Sequence, residues 1–398
     1  MRRFFLWIHK WLGLLSTIFL VIAALSGSII AFTDEIDRWL NPKLFSIDSS
    51  KEGVALKSSE WIAKVKERFP QAHINSYHLP QKSSDSILAG VKFGKGAPEP
   101  WSDYNQLFID PRDGEVLGGR NTMRCCSQES IIPYLYRFHY TLGLPDRYGV
   151  WLMGGVAILW LFITLSGVWL STPNLFKEGF WHRFKPSWKI KWGAKRYRWF
   201  LDTHRALGMW LLLPLFLLAL SSVALNLRNE LFRPVVGLFS PLTPLPFEAL
   251  KRYPPDPKFR PKVEFDEALE RARVALAGEG IELEPRSIFY LGGFRSYMVL
   301  FGPKHPLGYG TPRIVIHAES GEYVSRYIPG RGSVGDRFTH LQFPLHSGQI
   351  AGIGGRIFVA ILGLVITWAC ISGLYLWWKK NPFSRISLFN LKFKKEQS

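Results

Sequence analysis

The chain has 398 residues, 47% of them hydrophobic and 15% aromatic, with sixteen Trp, and very apolar stretches alternate with ordinary polar ones, as in a membrane protein with sizeable soluble parts. A formal charge of +19 would raise nucleic acid as a partner for a soluble protein. Most of it instead sits in three places, the N-terminus, the 173–205 segment and the tail from residue 379, which hold eighteen Lys and Arg against three acidic residues. That is the positive-inside asymmetry, so the charge argues for topology and against nucleic acid.

Met1-Arg2-Arg3 opens on an apolar run over 11–32. The run is longer than a signal-peptide core and recurs inside the chain, so it reads as a retained helix. Runs over 150–170, 206–227 and 357–377 are likewise long enough to cross about 30 Å of hydrocarbon, and none of the four holds an acidic residue. Both termini and the 173–200 loop are therefore expected in the cytoplasm of a chain with four transmembrane helices.

Between the spans lie two segments of near-balanced charge. The first predicts a helix over 61–69, strands over 74–77 and 86–93, and a hairpin over 104–116 turning at Asp113-Gly114. The second predicts a helix over 266–276 and strands near 287–291, 297–301 and 313–317, with a turn at Ser320-Gly321. The expected domains are span one (1–40), an α+β module (41–133), span two with its exterior approach (134–172), the basic loop (173–200), span three (201–232), a second module (233–338), span four with its approach (339–378) and the tail (379–398). Three cysteines cannot frame a disulfide-rich fold. Cys125 and Cys126 are adjacent, and an oxidising compartment would permit a vicinal disulfide, pairing with a partner, or neither.

The halves repeat. At a constant offset of 195, His9, Gly13, Ser26, Glu35 and Arg38 fall on His204, Gly208, Ser221, Glu230 and Arg233. The second and fourth spans match too: His139 and His346 precede them, and both end on a Ser-Gly pair, Ser166-Gly167 and Ser372-Gly373. Small residues at such positions let helices approach closely.

Titratable side chains at membrane depth are costly and usually kept for function. His9 and His204 open spans one and three at one face, while His139 and His346 precede spans two and four at the other. Two imidazoles from facing helices suit a six-coordinate haem iron. Gly13 and Gly208 lie one turn beyond His9 and His204, where a larger side chain would meet a porphyrin. Nearby aromatic residues (Trp7, Trp11, Trp210, Tyr140, Phe343) could wall the ring, and the competing reading is an interfacial aromatic belt. His340 is the reserve ligand for the exterior pair. Met153 and Met209 are not repeated, and His73, His78, His182, His305 and His317 carry no metal-ligand spacing.

These motifs, with Asp34-Glu35-Ile-Asp37, Asp110-Pro-Arg-Asp-Gly114-Glu, Leu345-His346-Ser-Gly348 and Gly373-Leu-Tyr-Leu-Trp377-Trp378, resemble the PepSY-associated transmembrane family over almost the whole chain. Within it they look like the FoxB-type ferric-siderophore reductases of the bacterial inner membrane. The resemblance implies two b-type haems, periplasmic PepSY-like modules and one-electron reduction of a ferric siderophore or other iron chelate. No Gly-x-Gly-x-x-Gly follows a strand, so the expected donor is a cytoplasmic reductase or membrane quinol. Loops 94–104 and 305–312 are the expected rims of an acceptor site. Two other readings stay open, a b-type cytochrome for another periplasmic acceptor and a haem-free scaffold whose modules bind peptides or regulate a protease.

Overall fold

Apolar runs of 20 or more residues have to satisfy every backbone polar group internally, and they do so as long helices. The computed structural model describes residues 1–48, 53–246, 248, 250–254, 256 and 259–380; the tail beyond Lys380 lies outside them. Counting helices of eight residues or more, the order is α1 Arg2–Ile30, α2 Thr33–Leu40, α3 Ser58–Arg68, α4 Ile131–Thr141, α5 Asp146–Ser171, α6 Arg196–Trp210, α7 Leu212–Asn226, α8 Phe265–Ala277, α9 Val334–Ser347 and α10 Gly352–Lys380. Of these, α1, α5 and α10 are each long and apolar enough to cross a membrane.

The third apolar run corrects the expectation of one continuous helix. It is split at Leu211, and α6 and α7 meet at a bend of 73°. Pro214 accounts for the break. Its ring would collide with the carbonyl four residues earlier, at Trp210, where α6 stops, whereas in the first turn of α7 its missing N–H costs nothing. The two further helices before the spans are also separate. Leu142 and Gly143 turn left-handed after α4, with φ of 55° and 76°, and Gly348, with φ of 75°, ends α9.

Helix α1 packs on α10 and on α5, and α5 packs on α7. The α1–α10 crossing is close enough that Ser28 Oγ donates to the Ala360 carbonyl at 2.8 Å, and a Cβ at Gly363 would overlap Ser28 Oγ and the Ala24 carbonyl. Small residues at a helix crossing work in this way where no hydrophobic drive separates helix from lipid.

The strands are β1 Ala72–His78, β2 Ile87–Phe93, β3 Gln106–Ile109, β4 Val116–Arg120, β5 Pro285–Leu291, β6 Ser296–Phe301, β7 Arg313–His317 and β8 Tyr323–Tyr327. Two separate modules were expected. Instead the eight strands form one antiparallel sheet in the order β4-β3-β2-β1-β5-β6-β7-β8, the halves joining through β1 and β5 with Tyr77 opposite Ile288. Edge pairing of two small meanders removes an exposed edge from each. Helices α3 and α8 cover one face, burying Trp61, Val65, Tyr77, Leu276, Ile288 and Tyr297. They are pinned to each other by the Asp266 carboxylate, which accepts from the Ser58 and Ser59 amides at 2.9 Å each.

The opposite face carries a row of cross-strand neighbours, His78, Ser287, Leu300, Arg313 and Tyr327, because residues in register across a sheet share a face. Leu300, Arg313 and Tyr327 look into a cavity that continues among the long helices. Two ion pairs link the sheet to the long helices by way of α2. Arg120 at the end of β4 meets Asp37 of α2 in a buried pair at 2.8 Å, and Arg356 of α10 meets the half-exposed Glu35 of α2 at 2.6 Å.

Candidate metal centre: two histidine pairs

Helix geometry brings the four singled-out histidines into two pairs. His9 of α1 and His204 of α6 have ring centroids 6.1 Å apart, and His139 of α4 and His346 of α9 stand at 6.2 Å. Each pair takes one ring from each half of the repeat, and the second lies towards the sheet.

Every ring is held by a serine of its own half. His9 Nδ1 lies 3.1 Å from Ser166 Oγ, His204 Nδ1 2.9 Å from Ser372 Oγ, His139 Nδ1 3.0 Å from Ser26 Oγ and His346 Nδ1 3.2 Å from Ser221 Oγ. The residue after each serine leaves space for the ring. A Cβ at Gly27 would stand 3.0 Å from His139 Cε1, at Gly167 3.2 Å from His9 Cε1 and at Gly373 3.4 Å from His204 Cε1. Ser222 takes the fourth place, its Oγ 3.5 Å from His346 Nδ1. The Ser-Gly pairs, expected to serve helix packing, thus seat the histidines. Their recurrence in both halves of the repeat was the available signal.

These contacts assign the tautomers. His9 Nδ1 also lies 3.1 Å from the Ile163 carbonyl and His204 Nδ1 3.0 Å from the Ala369 carbonyl. A carbonyl only accepts, so Nδ1 carries the proton on both rings. At the other pair, Ser26 Oγ donates to the Ile22 carbonyl at 2.7 Å and Ser221 Oγ to the Leu218 carbonyl at 3.0 Å. With its single proton committed, each hydroxyl can only accept from Nδ1–H. In the neutral imidazole this leaves Nε2 unprotonated on each ring, which is the form that ligates a metal while the other nitrogen fixes ring orientation.

The remaining candidates sort by geometry. A Cβ at Gly13 or Gly208 meets nothing within 4 Å, so open space lies beside both. His340 also lines the cavity, but it makes no ring contact with another imidazole among the described residues. Its Nδ1 accepts the Gly330 amide at 3.1 Å and its ring packs edge-on against Tyr327 at 4.5 Å. Tyr140 and Phe343 line the cavity with His139, His346 and Met153, whereas Trp7, Trp11 and Trp210 are exposed. Cys125 and Cys126 form a vicinal disulfide, and Cys370 is free and half-buried.

The cavity has a volume of about 820 Å³. Its floor, between the long helices, is apolar around His139 and His346; its roof under the sheet is cationic, lined by Arg228, Arg286, Lys304 and Arg313. The 305–312 loop forms part of this wall. The 94–104 loop does not, and its Trp101 packs instead on Phe69 at 4.8 Å. Asp34 meets Lys304 and, at 2.6 Å, His305 Nε2. Burial works against the Asp34 charge, but those two partners hold its carboxyl well below the usual range. Burial, then the neighbouring Arg313 charge, pushes the Arg286 guanidinium below its ordinary value. The sequence did not single out Arg228, Arg286, Lys304 or Arg313, and His305 was expected only as part of a loop at the rim. The signal was there in an arginine on each of two short apolar strands, Arg286 and Arg313.

No curated protein gives a significant match to the chain. The family model of the PepSY-associated TM region matches residues 6–380, nearly the full length, and the chain belongs to that family.

Proposed function

We propose that this protein is a di-haem metalloreductase of the bacterial inner membrane, with four transmembrane helices and both termini in the cytoplasm. In this reading it passes electrons from the cytoplasmic side to a periplasmic ferric siderophore, reducing Fe(III) to Fe(II). The observation that carries the reading is the spacing of the two histidine pairs. Two imidazoles that hold one metal between them have their ring centroids about 6 Å apart, and both pairs stand at that distance, 6.1 and 6.2 Å. Among the described residues no three His, Cys, Asp or Glu side chains group to hold a metal ion, so each pair would hold one by its two imidazoles. The residues present therefore fit haem.

In the protein's own parts, His9 with His204 and His139 with His346 would hold the iron, the four serines would fix the rings, and Gly13 and Gly208 would leave room beside the first pair. Haem b in these places supplies one-electron exchange near each face. Transfer to a chelate suits iron release because ferrous iron, with its lower charge, binds hard oxygen donors more weakly than ferric iron. The donor is a cytoplasmic reductase or membrane quinol.

Purified protein should give about two haems per chain by pyridine haemochrome, a count that comes from the two repeated pairs. Dithionite-reduced protein should be reoxidised by a ferric siderophore, with ferrous iron trapped by a colorimetric chelator, while a gallium-loaded carrier binds without oxidising it. A spectrum with no haem after expression with ample haem supply sinks the reading in favour of a haem-free scaffold. Two haems with reoxidation no faster than by oxygen alone assigns the cytochrome to another periplasmic acceptor.

A further inference from the structure

The roof of the cavity gathers four cationic side chains. Arg286 comes from β5, Arg313 from β7, Arg228 from the turn after α7 and Lys304 from the loop after β6, and all four line one cavity with His139 and His346. Among the described residues Asp34 is the one carboxylate lining it, and Lys304 and His305 already engage it. Arg286 Nε and Arg313 Nε are buried and have no hydrogen-bond partner among the described residues, and neither has Thr339 Oγ1 in the same wall. The other contacts of these arginines are weak ones: Arg286 Nη1 reaches the Pro303 carbonyl at 3.4 Å, and Arg313 sits 5.2 Å from the centre of the Tyr327 ring. Buried donors are nearly always paired, and buried cations almost always have a counter-charge. A guanidinium answers both needs best with a planar carboxylate taken on two parallel N–H groups.

We propose that Arg286, Arg313 and Arg228 form a carboxylate-binding site above the His139–His346 pair. It deepens the metalloreductase reading and rests on it for the identity of the occupant. Two sources bring carboxylates to this depth, the propionates of a haem held by His139 and His346, and the acid groups of an anionic iron chelate entering as acceptor. Both would be fixed by the same forks. In the second case the preferred acceptor class is an acidic, oxygen-rich chelate, with neutral carriers disfavoured because they leave the cationic roof uncompensated.

The test uses the full-length protein and the variants Arg286→Gln, Arg313→Gln and R286Q/R313Q, with thermal unfolding confirming that each folds. Three quantities are read: haem per chain, the midpoint potentials of the haems, and the binding of two redox-inert probes, a gallium tricarboxylate chelate and a neutral gallium trihydroxamate, by tryptophan fluorescence. A tenfold or greater loss of affinity for the tricarboxylate, with the trihydroxamate unchanged and both haems retained, assigns the site to the acceptor. Loss of one haem, or a shifted potential for the haem that His346→Ala removes, with probe binding unchanged, assigns it to propionates. Folded variants in which none of the three quantities moves overturn the proposal. R286K/R313K, which keeps the charge and removes the forks, is the variant to read should the glutamine forms not fold, and the same three quantities decide. Probe binding does not depend on haem, so protein without haem would refute the metalloreductase reading while still testing this site.

Discussion

Ser26 and His139, 113 residues apart, are joined by a 3.0 Å hydrogen bond from Nδ1–H to Oγ. The same contact recurs three times, always between a histidine and a serine of the same half of the chain. A ligand held by its second nitrogen is aimed before the metal arrives, and removing such an outer partner typically costs about 10- to 100-fold in metal affinity. Ser26→Ala should accordingly weaken haem binding at the His139 site by that order, read as faster haem loss to apomyoglobin, while the other site is unchanged. Ser28→Ala is the control, since Ser28 bonds across to Ala360 and touches no histidine; it should lower the unfolding temperature and leave haem retention alone. Equal haem loss in both variants would remove the orienting role from Ser26.

Pairing across the halves makes a sharper claim. His9→Ala and His204→Ala should each abolish one and the same haem signal, and His139→Ala and His346→Ala should each abolish the other, because the rings stand in pairs at 6.1 and 6.2 Å. His340→Ala should spare both, since its Nδ1 is occupied by the Gly330 amide. Low-temperature spectra of the reduced variants separate the two α-bands. Silence of His346→Ala combined with haem loss in His340→Ala would mean that the wrong ring is paired with His139.

Among the ion pairs that join the sheet to the helices in the described residues, Arg120 with Asp37 is the most buried. Arg120 Nη1 donates to both Asp37 oxygens, at 2.9 and 2.8 Å, and to the Glu129 carbonyl at 2.9 Å. Removing one partner of a buried pair strands the other, at about 3–5 kcal/mol. Arg120→Met should lower the unfolding temperature of the detergent-solubilised protein well beyond Arg38→Met, whose pair with Asp85 is half-exposed on the arginine side. Equal, small shifts in the two variants would show that the buried pair does not anchor the sheet.

The long apolar helices α1, α5 and α10, the short helices α3 and α8 and most strands were legible because each rests on a local signal: apolar length, period or turn chemistry. The paired histidines were legible because the repeat made them equivalent. What the sequence did not reveal is non-local. Nothing within residues 72–78 or 285–291 says that β1 pairs with β5, since both are edge-capable strands of meanders that each look complete. The bend at Leu211 is signalled by Pro214, but an apolar run that continues on both sides masks it. The cationic roof needed four elements folded together before Arg228, Arg286, Lys304 and Arg313 became neighbours.

His78 gives the last test, at the central strand of the sheet. Its Nδ1 bonds Ser287 Oγ at 2.7 Å. Burial, followed by the charges of Lys304 and Arg286 and opposed by Asp34, pushes its pKa down to about 4. The folded state therefore refuses a proton that the unfolded chain accepts near pH 6.5. Stability from this source is fully present above pH 6.5 and is lost as pH falls towards 4, because across that window only the unfolded chain gains the proton. The effect is on the order of 2 kcal/mol once solvent screening at a half-buried site is allowed for. His78→Gln keeps a hydrogen-bonding group for Ser287 and removes the titration. Its unfolding temperature should fall less than that of the wild type between pH 6.5 and 4, while above pH 7 the two should run parallel. If the gap between the two curves stays constant from pH 7.5 to 4, the wild-type ring is already taking up its proton in the folded state. The positive roof would then not reach β1.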